Sequence, residues 1–95
     1  VQASESNKIF TNDGASAPVT FSLPTAVAGY VYTFVKLTDD NVIISANTGD
    51  YIADSASGGS ISNLVTTEDY ASLTLFSVSA SKWIIKSGDG HWVTS

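Results

Sequence analysis

The alternation of apolar and hydroxyl side chains with a period of two is the feature that most restricts how this chain can fold. Residues 19–23 read VTFSL, and Pro24 follows directly. A period of two places every second side chain on the same face of an extended strand, so the segment predicts a half-buried strand. Proline lacks the backbone donor that a strand ladder needs, and it ends the strand.

Further strands are predicted along the rest of the chain. Residues 30–37 read YVYTFVKL, which is apolar on both faces and predicts a central strand covered on both sides. The polar turn at residues 39–41 leads to VIIS at 42–45, and this order predicts a hairpin. The remaining predicted strands are residues 51–52, 61–65, 72–78 and 82–86, of which the last two form a hairpin, and a terminal hairpin segment at 91–93.

The scarcity of good helix formers leaves little room for helices. A short helical turn is predicted only at residues 66–70, where threonines precede acidic residues. About seven to nine short strands, with turn signals roughly every eight to twelve residues, predict an all-β fold, either a small antiparallel β-sandwich or a jelly-roll-like barrel. The 95 residues predict a single β domain, 1–95, in which residues 1–6 form an N-terminal arm or linker.

Charge and composition exclude several classes of function. Four basic residues against nine acidic ones give a net charge of −5, which repels a phosphate backbone and predicts no nucleic-acid partner. Apolar runs fall short of the roughly 20 residues that a membrane helix needs, so no membrane span is predicted. Cysteine is absent, which excludes disulfides and thiolate-bound metals.

Catalytic and metal-binding constellations are not evident either. The single histidine, His91, stands beside Trp92 without a nucleophile motif around it. The acidic residues lie in turns, where their side chains cap nearby backbone amides, and calcium is the alternative to that structural role. The sequence therefore predicts no enzyme, no cofactor and no metal site. The acidic residues concerned are Asp39, Asp40, Asp50, Asp54, Glu68 and Asp69.

Aromatic side chains carry more information about function. Trp83 alternates with Lys82 and Ile84, which predicts that it packs inside the core. Trp92 is predicted to cover the mouth of the sandwich or barrel, or to lie at an intersubunit surface. Tyr51, Tyr70 and Trp92 are the residues predicted to contact a partner protein or a glycan.

Three segments follow one another in an order that resembles a known pattern. They are VTFSLPTAVAGYVYTFVKLTDD, NVIISANTGDYIADSASGGSISNL and YASLTLFSVSASKWIIKSGDGHW. The order resembles that of tail-fibre, tail-associated and head-decorating proteins of bacteriophages, over roughly residues 18–93. The resemblance rests on Leu23-Pro24, Gly29, Gly49-Asp50, Trp83 and Gly90-His91-Trp92.

The resemblance implies a non-enzymatic structural protein on the surface of a virion. It implies a β-sandwich that assembles as a homo-oligomer, commonly a trimer, and contacts other virion proteins. Capsid and tail locations both stay open at this point. The alternative function is a module that binds a carbohydrate or a host receptor, since exposed tyrosine and tryptophan rings stack on sugars.

Overall fold

Two packed β-sheets account for the fold in the computed structural model, which describes residues 2, 4, 6–63 and 70–95. The strands of this part of the chain are β1 (Ile9–Thr11), β2 (Val19–Ser22), β3 (Val31–Val35), β4 (Val42–Ser45), β5 (Tyr51–Ile52), β6 (Ser60–Asn63), β7 (Ser72–Ser79), β8 (Lys82–Asp89) and β9 (Val93–Thr94). The predicted all-β sandwich is confirmed. Nowhere in the described ranges is there a helix long and apolar enough to cross a membrane.

The chain winds around the core by alternating between the two sheets. One sheet has the order β1-β3-β7-β8-β5 and the other has the order β2-β4-β6-β9, so the first seven strands change sheet at every step. Strands two apart in sequence thereby become neighbours, and β1 beside β3 and β2 beside β4 are parallel. The pair β5 and β8 is parallel too, whereas the other pairs among the described residues are antiparallel. The predicted purely antiparallel pairing is therefore corrected to mixed sheets.

The predicted hairpin between residues 30–37 and 42–45 is wrong, because β3 and β4 belong to different sheets. The polar segment between them crosses the end of the sandwich. Turn-forming residues such as Asp39 favour a reversal of the chain, but they do not specify whether the next strand returns to the same sheet.

The burial predicted for the same segment also needs correction. Tyr32 and Phe34 of β3 are fully buried, whereas Val31, Thr33 and Val35 are only half-buried. β3 is therefore covered on one face. Its outward valines lie on a sheet face that no other part of the described chain covers completely.

The C-terminal strands confirm one hairpin and correct another. β7 and β8 form the predicted hairpin, and β8 continues to Asp89, beyond the predicted end at residue 86. β9 does not close this hairpin, because it crosses to the other sheet and pairs with β6. Gly90 has a φ of 97°, a left-handed conformation that glycine adopts at little cost, and it lies where the chain leaves β8.

The core lies between the sheets and is dominated by aromatic rings. The prediction that Trp83 packs inside is confirmed, since its side chain is fully buried and its ring centroid lies 5.6 Å from that of Tyr32. Phe34 lies 5.3 Å from Phe21 and 5.6 Å from Phe10, again between centroids. Contacts between rings at such distances stabilise a core beyond the area that they bury.

Two predictions concern residues at the limits of the described ranges. The helical turn at 66–70 and the end of the strand at 61–65 fall largely on residues 64–69, which lie outside the described residues.

Within the segment predicted as an N-terminal arm, the backbone oxygen of Gln2 accepts a hydrogen bond from the Tyr32 hydroxyl at 2.9 Å. The Ser6 hydroxyl oxygen accepts another from the Val31 amide at 3.0 Å.

Candidate interaction surface

The outward face of the five-stranded sheet carries a row of apolar side chains. Val31 in β3 lies opposite Phe76 in β7, and Phe76 lies opposite Ile84 in β8. All three are half-buried, and they alternate along their strands with fully buried neighbours. Because side chains alternate between the faces of a strand, these three point away from the second sheet. We call Val31, Phe76 and Ile84 the apolar row.

Exposed side chains extend the apolar row toward the β7–β8 turn. Val78, two residues after Phe76, lies at an irregularity in the pairing of β7 with β8, and 45% of its surface is exposed. Tyr51 in β5 lies opposite Lys82, and 39% of its surface is exposed. The Lys82 Nζ atom lies 5.9 Å from the centroid of the Tyr51 ring and donates to the backbone oxygen of Ala53 at 2.6 Å. The ammonium group therefore lies within the range of a cation–π contact with the tyrosine.

Hydroxyl groups border the apolar row on its other side. Thr33 and Thr74 are opposite each other in β3 and β7, and their hydroxyl oxygens are 3.0 Å apart, within hydrogen-bond distance. Ile9 of the edge strand β1 lies opposite Thr33 and is well exposed. The face thus combines an apolar centre with neutral hydroxyl groups. A group of neighbouring apolar side chains on a surface is more informative than single exposed ones.

The three predicted contact residues do not form one site. Tyr51 lies beside the β7–β8 turn, whereas Tyr70 precedes the opposite end of β7. The eight residues of β7 separate the two by about 24 Å at the rise of an extended strand. Trp92 lies at the same end as Tyr70, is half-buried against the core, and donates from Nε1 to the backbone oxygen of Asp89 at 3.0 Å.

Of the predicted acidic turn residues that the structure describes, Asp40, Asp50 and Asp54 accept hydrogen bonds. A carboxylate oxygen of Asp50, which is buried, accepts from the Ala26 amide at 2.9 Å. The Asp54 carboxylate accepts from the Thr94 hydroxyl at 2.5 Å. That bond and a backbone hydrogen bond within Asp54 hold the pKa of Asp54 below its ordinary value of 3.8; desolvation opposes them, and the charge of Lys82 adds a weaker lowering effect. Asp50 thereby joins two loop segments, and Asp54 ties its loop to β9.

The described residues offer no enclosed site for chemistry. Among them, no three His, Cys, Asp or Glu side chains gather closely enough to hold a metal ion, and they form no pocket. His91 is exposed beyond the end of β8. Glu68 and Asp69 lie outside the described residues. The surface features available for function in the described ranges are thus open faces and exposed rings.

Comparison of the chain with protein-family models, with curated protein sequences and with solved structures gave no match. The resemblance to phage surface proteins therefore stays a prediction from the order of motifs. The function has to be argued from the residues of the chain itself, and above all from the outward face of the five-stranded sheet.

Proposed function

We propose that this chain is a non-enzymatic structural module of a virion surface, which binds a neighbouring subunit through the outward face of its five-stranded sheet. The observation that carries this proposal is the apolar row Val31, Phe76 and Ile84, together with the exposed Val78 and Tyr51 at its end. The order of motifs along the chain, with its resemblance to phage surface proteins, supports the virion setting.

The composition of this face fits a protein partner. The centres of protein interfaces are poor in charged residues and rich in aromatic ones, and the apolar row has one aromatic ring and no charge. Contiguous apolar surface of this kind on a soluble protein marks an interaction site more often than isolated apolar residues do. A half-buried sheet face also offers a flat surface on which a second sheet can pack at about 10 Å.

A second copy of this chain is the partner that the proposal favours. A homo-oligomer, commonly a trimer, is what the resemblance implies. An identical subunit presents the same apolar row, so that Phe76 and Val78 of both copies become buried in the contact. The net charge of −5 repels identical copies, and an apolar row without charge keeps that repulsion away from the centre of the interface, with the Lys82 ammonium at its edge.

Sedimentation velocity of the purified chain, over a wide range of concentrations, tests the proposal. We expect self-association that Val78→Lys weakens by about tenfold or more, because the substitution places a further ammonium group in an otherwise apolar contact. Val93→Lys is the matched control, since Val93 is 63% exposed but lies in β9 of the other sheet. A wild-type chain that stays monomeric at high concentration, or equal effects of the two substitutions, would count against the proposal.

Glycan binding is the second candidate function, and Tyr70 favours it. This tyrosine is 74% exposed and has a φ of 69°, a left-handed conformation that side chains with a Cβ adopt only at a cost. Strained residues cluster at functional sites, and an exposed ring can stack on a sugar. On a glycan array we expect Tyr70→Ala to abolish binding and Tyr51→Ala to retain it. A flat profile for the wild-type chain would eliminate this candidate.

A further inference from the structure

Lys36 is fully buried, and its Nζ atom has no hydrogen-bond partner among the described residues. Burying an ammonium group without a partner is among the most costly steps in folding, and buried lysines are normally paired. The other buried polar side chains of the described chain, Asn12, Asp50, Ser55, Asn63 and Ser77, all interact with other groups. Within the described ranges the Lys36 amine is therefore a buried ionisable group without a partner.

The Lys36 side chain enters the space between the sheets. It continues the buried positions of β3, because Tyr32, Phe34 and Lys36 alternate with half-buried residues. Its backbone amide donates to the oxygen of Ala71 at 2.8 Å, which extends the pairing of β3 with β7 by one residue. The side chain consequently projects toward the other sheet and away from solvent.

Asn63 enters the same end of the sandwich from the other sheet. It is the last residue of β6, it is fully buried, and it lies opposite Val42, the first residue of β4. The segment between Lys36 and Val42 is the sheet crossing at this end of the molecule. Side chains from two facing sheets interdigitate across a gap of about 10 Å, which a lysine and an asparagine together can span.

The surroundings of this end suit a reactive amine. Phe34, two residues before Lys36, stacks with Phe10 and contacts Phe21, and Val42 is fully buried. A lysine amine becomes nucleophilic where an apolar environment keeps it uncharged. The site excludes water, so a product formed there is also protected from hydrolysis.

We propose that Lys36 and Asn63 form an intramolecular isopeptide bond. In its amine form, the Nζ of Lys36 attacks the side-chain carbonyl carbon Cγ of Asn63, and a new Nζ–Cγ bond forms. The Cγ–Nδ2 bond then breaks, a proton moves from Nζ to the leaving nitrogen, and one molecule of ammonia departs. No electrons are exchanged, and neither an oxidant nor a metal is needed. The product is a neutral amide, and the new bond links the two sheets.

Asn12 is the other amide near Lys36, but its side chain is committed to a different task. The strand pairing of β1 with β3 places it beside Lys36, and it is buried. Four hydrogen bonds fix it to the sheet crossing. Its Oδ1 accepts from the amides of Leu37 at 2.5 Å and Thr38 at 3.1 Å, and its Nδ2 donates to the Thr38 hydroxyl and the Asp40 backbone oxygen, both at 3.1 Å. Reaction at Asn12 would break these four bonds to the sheet crossing, whereas a link to Asn63 would join β3 to the facing sheet.

Mass spectrometry of the purified, denatured chain tests the bond. We expect an intact mass below the sequence mass by one ammonia. Trypsin cleaves after unmodified lysine, and Lys36 is the only lysine within residues 9–81, so the bond leaves residues 9–82 as a single product. Fragment ions of that product should join Lys36 to Asn63. A wild-type chain with the full sequence mass, or a link from Lys36 to Asn12, would overturn the proposal.

Variants separate the isopeptide bond from other losses of ammonia, such as cyclisation of an asparagine onto the backbone. Lys36→Met and Asn63→Ala should restore the full mass, whereas Asn63→Asp should lose one water in place of ammonia. Lys86→Met and Asn47→Ala, at an exposed lysine and an exposed asparagine, should keep the loss. Ammonia loss that persists in Lys36→Met would contradict the inference. Because Asn63→Asp keeps the reaction, it provides a readout even where Asn63→Ala does not fold.

This inference does not depend on the proposed function. The bond lies in the core, whereas the proposed contact face lies on the outside of the sheet. A chain that shows the predicted mass loss but stays monomeric would support the isopeptide bond and reject the proposed self-association.

Discussion

Replacing Trp83 by alanine is expected to lower the free energy of unfolding by about 3–5 kcal/mol. The side chain is fully buried between the sheets, where it contacts Tyr32 and lies opposite Ile52 on β5 and Ser77 on β7. Its removal leaves a large cavity. The hydrogen bonds between the strands hold the surrounding backbone in place, so the neighbouring side chains cannot move in to fill it. The total free energy of unfolding of a small domain is about 5–15 kcal/mol, so the variant should be barely stable as a folded protein.

Urea unfolding followed by circular dichroism measures this loss, and Trp83→Phe is the matched control. The indole Nε1 of Trp83 is buried and has no hydrogen-bond partner in the described part of the chain. Phenylalanine removes that unpaired donor, whose burial costs about 1–3 kcal/mol, while it fills most of the volume. We therefore expect Trp83→Phe to lose less than half of what Trp83→Ala loses. Equal losses in the two variants would mean that the indole nitrogen contributes stabilising bonds.

Asn12→Ala is expected to cost about 2–4 kcal/mol, because a buried donor left without an acceptor costs about 1–3 kcal/mol. The Asn12 oxygen accepts from two backbone amides of the sheet crossing, those of Leu37 and Thr38. Alanine leaves both amides without this acceptor and also removes the two bonds that the Asn12 nitrogen donates. The crossing that carries the chain from β3 to β4 thereby loses its attachment to β1.

Asn12→Asp is the control for this substitution. Aspartate keeps an oxygen for the Leu37 and Thr38 amides but cannot donate, so its loss of stability should be smaller. Amide hydrogen exchange by NMR reports the difference locally, since the two amides should exchange much faster in Asn12→Ala than in Asn12→Asp. Unchanged protection of both amides in Asn12→Ala would show that the side chain does not hold the crossing.

Strand periodicity explains why much of the fold can be predicted from the residues alone. The alternation in residues 19–23 and the apolar runs later in the chain reappear as β2, β4, β7 and β8. Which face of a strand is buried is a local property, because successive side chains point to opposite sides. The short strand β1 escaped prediction, since Ile9–Thr11 has only three residues, of which Phe10 alone packs toward the core. Its support comes from pairing with β3, far along the chain.

The candidate surface, by contrast, depends on how the strands pair and could not be predicted from the sequence. The exposure of Tyr51 and Tyr70 agrees with their predicted availability for a partner, but their separation along β7 arises from strand pairing. The apolar row joins residues from three strands that are neighbours only through register. No sequence window contains Val31, Phe76 and Ile84 together, so the row could not be predicted.

Lys36 shows the same limit in the core. The sequence pattern continues the inward positions of β3 to residue 36, but a lysine at such a position is ordinarily assigned to the surface. Its burial depends on the second sheet, which brings Asn63 and Val42 over this end of the sandwich.

An all-β chain, the positions of most strands, the burial of Trp83 and a net negative charge without arginine can be derived from the residues alone. Each of these follows from local periodicity or from composition. The placement of β3 and β4 in different sheets, the pairing of β9 with β6 and the three parallel strand pairs of the described chain are evident only in the folded molecule. A strand buries its apolar face equally well against several neighbours, so the choice among them depends on contacts between residues distant in the chain.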